Sequence, residues 1–599
     1  VKHSILALLA AVILSSVPGS AQHAQIPTAL ASAAPSENVH VIVRYRNPPS
    51  ASQHLKAIAS GGFVKADLGM INSGAYVVPA SSLQQIADDP EVVSIGQDHR
   101  VHSLLDNTAA AVNAPAAWWL FGLDGSGIGV AVIDSGISNA TDLNRSSFGG
   151  LSRVVYKENF IHALSAEDHY GHGEHVAGII AGDGADSTCF NCVRTFRGIA
   201  PGANLIDLRV LDRNGEGADS FVIAAIQRAI ELKNTYNIRV INISLGRPIV
   251  ESYQTDPLCQ AVEMAWRAGI VVVVAAGNDG RDKTFGSNGY GTIYAPGNDP
   301  YVITVGAMKS MGTPPRNDDR IASYSSKGPT MIDHVVKPDI VAPGNLVVSL
   351  LAPGSTLLSN YPSNQVRLNY FQWTWSSAFS GNYFTLSGTS MAAPVVSGAA
   401  ALLLEAHPQL TPDQVKARLM LTSYKTFPAS SVAVDPTTGQ SFTSYYDAFT
   451  VGAGYLDIEA ALLDNHCFSG VANSPLVTYK EGSDGKPGTI TLVCGTNTIC
   501  ASGAAGVLSA SKGGVEQAVS GTQSIWSNQS VWSNQSIWSS QSIWSNQSIW
   551  SNQSIWSSQS IWSNQSIWSN QSIWSNQSIW STDIAESSEA MQVPILGEH

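Results

Sequence analysis

Gly127-Ile128-Gly129-Val130-Ala131-Val132-Ile133-Asp134-Ser135-Gly136-Ile137 is an unbroken, mostly apolar run that stops on an acid and a Ser-Gly turn. Continuity of this kind, without polar alternation, is the pattern of a parallel strand buried on both faces. Val240-Ile241-Asn242-Ile243-Ser244-Leu245-Gly246 and Ile270-Val271-Val272-Val273-Val274-Ala275-Ala276-Gly277-Asn278 repeat the pattern. Helical periodicity over Ser220 to Lys233 and over Asp256 to Ala268 supplies the crossovers between them, so βαβ units follow. The fold class expected is α/β, a doubly wound and mostly parallel sheet. Open sheets of this class build their sites at the carboxyl ends of the strands, where Asp134 stands. By itself Asp134 reads equally well as a turn residue.

Two further stretches change the weight of that acid. In Asp168-His169-Tyr170-Gly171-His172-Gly173-Glu174-His175-Val176-Ala177-Gly178, glycines flank His172 where a small-residue helix begins. In Phe384-Thr385-Leu386-Ser387-Gly388-Thr389-Ser390-Met391-Ala392-Ala393-Pro394, a polar Gly-Thr-Ser turn meets the run Val395 to Leu404. That run is too hydrophobic for a surface helix and reads as a buried one. Ser390 then sits at its N-terminus, where unpaired N–H groups and the helix dipole favour developing negative charge. The ordinary use of a serine there is capping, and the ordinary histidine in a glycine setting is structural.

Asp134, His172, Asn278 and Ser390, in that order, resemble the active-site segments of the subtilisin-like serine peptidases. The matching pieces are Ile-Asp-Ser-Gly-Ile, Gly-His-Gly-x-His-Val-Ala-Gly, Ala-Ala-Gly-Asn and Gly-Thr-Ser-Met-Ala-Ala-Pro, and the likeness covers roughly Ala109 to Leu463. The resemblance implies a serine endopeptidase that hydrolyses peptide bonds through an acyl-enzyme. Ser390 would be the nucleophile, His172 the base, Asp134 its orienting carboxylate and Asn278 an oxyanion donor. It also implies that Gly215-Glu216-Gly217 and Ser244-Leu245-Gly246 flank an extended substrate, which would bind as an added strand. Glu216 would then favour basic residues a few positions before the cut. Protein and peptide substrates are the expected partners. No cofactor is required by this chemistry; structural calcium is common in the family, but no loop here matches a calcium motif. Glu174 departs from the family's usual small threonine, and its carboxylate is expected to raise the pKa of His172. The aromatic insertion from Asn369 to Phe384 is a second departure, read as a hairpin or as a satellite core under a loop. Two other readings are a non-catalytic scaffold that presents the repeat tract described below, and an acid peptidase of the Glu-Asp-Ser type. The intact set of four residues disfavours the first, and His172 with Asn278 disfavours the second.

The 599 residues are too many for one core. Charged residues are 13 % with net charge −13, which leaves no basic footprint for nucleic acid. Residues 1–21, an apolar run after Lys2-His3 with small residues before Ala21, have the layout of a secretory signal, and no later run reaches transmembrane length. A secreted, extracellular or surface-associated protein is therefore expected. Residues 36–104 carry strand, helix, strand, strand, helix, strand, the ferredoxin-like order, and in this setting resemble an inhibitory propeptide removed near His102 to Thr108. Residues 105–465 form the peptidase domain, and 466–521 a Cys-containing β segment with a Gly/Ser-rich linker. Six cysteines in an exported chain point to disulfides rather than to zinc at Cys189-Phe190-Asn191-Cys192. Residues 522–582 repeat Gln-Ser-Ile-Trp-Ser-Asn with ten tryptophans between Trp526 and Trp580, and 583–599 form a tail. An even period puts every Trp on one side of a strand, so strand-type structure is expected, with surface retention or self-association as its use.

Overall fold

The computed structural model describes residues 30, 35, 38–97, most of 104–480, the strand residues 489–494, 499–501, 508–510 and 515–518, and residues 597–598. The short gaps within 104–480 are 106, 145–150, 162–164, 283–287, 436–437, 467 and 469. The expected signal segment (1–21) and the Trp repeats (522–582) lie outside the described residues. The chain divides into two units, Val1–His102 and Ser103–His599.

In the first unit the strands are β1 (Asn38–Tyr45), β2 (Phe63–Leu68), β3 (Ser73–Pro79) and β4 (Val92–Gln97). They pair in the order β2-β3-β1-β4, antiparallel throughout. Helices Ala51–Ala59 and Leu83–Ala87 complete the β-α-β-β-α-β order expected from sequence. Alternation along β1 sends Val39, Val41, Val43 and Tyr45 into a small core with Tyr76, Val78 and Ile95.

The second unit is built on β5 (Gly129–Asp134), β6 (Val154–Asn159), β7 (Asn204–Arg209), β8 (Ile238–Ile243), β9 (Val271–Ala275), β10 (Ile303–Lys309), β11 (Arg320–Ile321) and β12 (Ile340–Pro343). Across the sheet the order is β11-β10-β9-β8-β5-β7-β6, with β12 also on β10. All pairs are parallel except β10 with β11. The order reverses on either side of β5, so the fold is the doubly wound α/β sheet that the apolar runs predict. Val130, Val240 and Val272 are fully buried, because helices cover both faces and no side of the strand meets water. The crossover helices are Asp219–Tyr236 and Pro257–Arg267, each a few residues from the predicted bounds.

Thr389–Ala406 is the central helix, packed on β8, β9, β10 and helix His172–Ala181. Among the described residues it is the one helix long and apolar enough to cross a membrane, and it is buried in the core. Its small residues permit close packing: a Cβ on Gly398 would lie 2.5 Å from the Ile199 Cβ.

Several expectations change here. Asn369–Phe371 belongs to a helical turn, Leu368–Phe371, and not to a strand of a hairpin. A hairpin is present but starts earlier: strand Phe379–Leu386 pairs antiparallel with Gln365–Arg367, and on its other side with Val347–Leu350. Phe371, Tyr383 and Phe196 form a buried aromatic cluster, while Trp373 and Trp375 face solvent. Cys189 and Cys192 are disulfide-bonded to each other, which removes both thiols from any zinc site. Cys259 is a buried free thiol, so the expectation of disulfides fails for it; its position on helix Pro257–Arg267 puts Sγ against Asn298 Oδ1 at 3.2 Å. The segment after residue 465 begins within the peptidase body, since Ser474 Oγ donates to Asp339 Oδ1 at 2.6 Å. The stretch read as a linker holds strands Leu508–Ala510 and Val515–Ala518.

Candidate active site

Asp134 ends β5, and parallel pairing with β7 and β8 fixes where its side chain emerges. Its Oδ1 accepts from the Ser135 N–H at 2.8 Å and pairs with His172 Nδ1 at 2.7 Å. Asp134 is buried, whereas the His172 side chain keeps 15 % of its surface open. His172 opens its helix, and the turn after Asp134 lies directly beneath that first helical turn. A Cβ on Gly173 would sit 2.2 Å from the Gly136 carbonyl oxygen, so only glycine lets the two segments meet.

Ser390 lies in the first turn of helix Thr389–Ala406. Its Oγ donates to the Ser244 carbonyl at 2.9 Å, and Ser244 Oγ donates to the Ser390 carbonyl at 2.9 Å. The end of β8 and the start of the central helix are thereby latched together. Behind them, buried Asn242 donates to Ser244 Oγ at 2.9 Å and accepts from Ser397 Oγ at 2.8 Å. Asn278, just past β9, accepts at Oδ1 from the Thr389 N–H at 2.9 Å and is 3.2 Å from Thr389 Oγ1. With the oxygen committed to donors, Nδ2 is the end of the amide left to donate elsewhere.

Gly215 packs on the ring of Tyr170, whose centroid is 6.4 Å from that of His172. The loop Gly215-Glu216-Gly217 therefore runs beside His172, with Glu216 exposed. Ser244 contacts Ser390 as described, Leu245 is half-buried and Gly246 is exposed.

Sequence reasoning missed Asp168. This buried carboxylate accepts from Ser135 Oγ at 2.8 Å and from the N–H groups of Gly171 at 2.7 Å, Tyr170 at 3.1 Å and Glu174 at 2.8 Å. An Asp four residues ahead of the first helical residue is the signal that could have found it. Burial alone would lower the pKa of His172, but the Asp134 charge and hydrogen bond, with Asp168 behind them, outweigh it and raise the value.

The expectation for Glu174 is corrected. Glu174 is fully buried, accepts from the Ser138 N–H, and its carboxyl is pushed to about 8 by burial and by the Asp168 charge. At neutral pH it is mostly protonated and carries too little charge to raise His172. His175 is likewise neutral, pushed by burial to about 3; its Nε2 lies 3.1 Å from the carbonyls of Val347 and Phe384.

A pH experiment separates these effects. If His172 serves as the base it must be unprotonated to act, so its raised pKa places the acid limb of the rate profile at higher pH. Removing the Asp168 charge with Asp168→Asn is expected to move that limb down by about half a unit or more. Glu174→Gln is expected to leave it within about 0.2 of a unit, because the acid it replaces is already neutral. Initial rates from pH 5 to 9 give both answers, and a downward shift with Glu174→Gln would reinstate the charge effect.

Among the described residues no group of three or more His, Cys, Asp or Glu side chains is placed to hold a metal ion.

Residues 125–453 match the family described as the subtilase family. The chain is 36 % identical over 360 residues to the serine protease AprX of Bacillus subtilis (strain 168), covering 59 % of this chain and 74 % of that protein. It is 34 % identical over 367 residues to subtilisin E of the same organism, covering 61 % and 78 %. The extracellular serine proteinase of Thermus sp. (strain Rt41A) is 34 % identical over 361 residues, covering 58 % and 69 %.

Proposed function

Because the chain belongs to the subtilase family and is a serine-type endopeptidase, we propose that Asp134, His172 and Ser390 are its triad and Asn278 its oxyanion donor. The observation that carries this reading is the 2.7 Å pair between Asp134 Oδ1 and His172 Nδ1 at a strand end. The rest supports it: a serine in the first turn of a buried helix and an amide whose orientation Thr389 holds.

In the proposed mechanism the Ser390 hydroxyl leaves the Ser244 carbonyl and donates to His172 Nε2. As Oγ attacks the peptide carbonyl, His172 takes the proton and Asp134 stabilises the resulting imidazolium. The negative charge passes to the former carbonyl oxygen, which the Asn278 Nδ2 and the Ser390 N–H receive. His172 then gives its proton to the leaving amine, and water hydrolyses the acyl-enzyme by the same steps reversed. Gly215 to Gly217 and Ser244 to Gly246 would hold the extended substrate.

Phosphonylation with a serine-directed reagent, read by mass spectrometry, tests the assignment. An adduct on Ser390 is expected, and an adduct on another serine, or none, sinks it. Asn278→Ala is expected to lower kcat about 10²–10³-fold with little change in KM, the scale seen when subtilisin loses its oxyanion asparagine. A loss that appears in KM alone would reassign Asn278 to ground-state binding.

The coarser biology follows the same proposal. Residues 36–104 would act as an inhibitory propeptide and own partner, removed by self-processing between His102 and Thr108. Residues 1–21 would direct secretion, and the Trp repeats would serve surface retention or self-association. The export layout of the sequence and the extracellular relative support this reading.

A further inference from the structure

Three residues past Asn278 stands Arg281, a guanidinium with little access to water. Its Nε donates to Ser323 Oγ at 2.6 Å and its Nη1 to Asp435 Oδ2 at 2.9 Å. Its Nη2 donates at 2.9 Å to Oε1 of Glu598, a residue beyond the Trp repeats. The same carboxylate oxygen accepts from the Ser323 N–H at 3.0 Å and from Ser323 Oγ. The backbone of Glu598 is held twice by one amide: Asn345 Nδ2 donates to its carbonyl at 2.9 Å, and its N–H donates to Asn345 Oδ1 at 2.8 Å. Ser323, Asn345 and Glu598 are all buried.

The preceding residue fits as closely. Gly597 has φ +81°, and a Cβ there would lie 2.4 Å from Leu346 Cδ2 and 2.7 Å from Ser387 Oγ. Conformation and space both admit glycine alone. A carboxylate removed from water is tolerated only where it is paired and hydrogen-bonded. Here Arg281, Ser323 and Asn345, from three separate segments, recognise one Gly-Glu pair through its charge, its backbone and its missing side chain.

We infer that Arg281, Ser323 and Asn345 form a receptor on the peptidase unit for a Gly-Glu segment, occupied by the chain's own Gly597-Glu598. The tract from Gln523 to Ser581 lies in the chain between Leu463, at the end of helix Ile458–Leu463, and Glu598. Docking of Glu598 therefore tethers the tryptophan repeats to the peptidase at both ends. The receptor adjoins the nucleophile turn, since Gly344, beside Asn345, accepts from the Gly388 N–H at 2.8 Å. The inference does not depend on the triad assignment.

Thermal unfolding of the full chain, made as Ser390→Ala to prevent self-cleavage, tests it. Glu598→Ala and Gly597→Ala are each expected to lower the peptidase transition by about 2–5 °C, the first because it removes a buried, paired charge and the second because its Cβ collides with Leu346 and Ser387 and displaces that charge. Arg281→Gln should cost less in the Glu598→Ala background than in the parent, the mark of a direct contact. If Arg281→Gln does not fold, Asn345→Ala takes its place in the cycle. Transitions within about 1 °C of the parent for both tail variants, or strictly additive losses, would overturn the inference.

Discussion

Ser390→Ala is expected to lower kcat on a peptide substrate by about a millionfold, the largest effect of any single change in this chain. The variant keeps its Asn278 amide and the loops proposed to hold substrate, so a residual rate of about 10³–10⁴ over water should survive. Folding should be little affected: the lost Oγ donates only to the Ser244 carbonyl, while the reverse bond, from Ser244 Oγ to the Ser390 carbonyl, remains. Because the proposed nucleophile and base would act as a unit, adding His172→Ala should cost almost nothing more. Single-turnover kinetics would show no burst of acyl-enzyme. A loss below about a hundredfold would remove Ser390 from the chemistry.

Asp134→Asn is expected to lower kcat by about ten-thousandfold. One carboxylate oxygen receives both the Ser135 N–H and His172 Nδ1, so geometry and charge reach the imidazole through a single atom. An amide in its place removes the charge that offsets the imidazolium. If its NH₂ turns toward the ring, His172 must carry its proton on Nε2 and cannot accept one from Ser390. With Asp134 uncharged, burial regains control of His172, and the acid limb should fall to lower pH as the rate collapses. A kcat within about tenfold of the parent, or an acid limb that does not move, would show that Asp134 neither orients nor charges the base.

Much of the fold was legible because covering both faces of a parallel sheet abolishes alternation. β5, β8 and β9 are mostly apolar and buried, and the one gap short enough to hold only a crossover helix, between β8 and β9, carries one. The longer gap from β5 to β8 also holds β6 and β7, which the sequence reading did not single out. The βαββαβ unit was legible for the opposite reason, since β1 alternates against one small core. The aromatic insertion misled in part: Asn369 to Phe371 form a helical turn with Phe371 buried, the hairpin's first strand lies before them at Gln365–Arg367, and Trp373 beyond the turn faces solvent. Periodicity over so few residues cannot separate the two.

The candidate site divides along the same line. Sequence alone determined the strands β5, β8 and β9, the helices between and after them, and the chemical groups Asp134, His172, Asn278 and Ser390 at element ends, because burial patterns, turn glycines and helix starts are local properties of the chain. Only the tertiary structure decided which groups touch: the Asp134 pair with His172, the latch between Ser244 and Ser390, the cradle of N–H groups around Asp168, and Glu598 in the grip of Arg281. It also decided that Glu174 is neutral, since a carboxyl's charge depends on the water and the charges around it, and no stretch of sequence contains those.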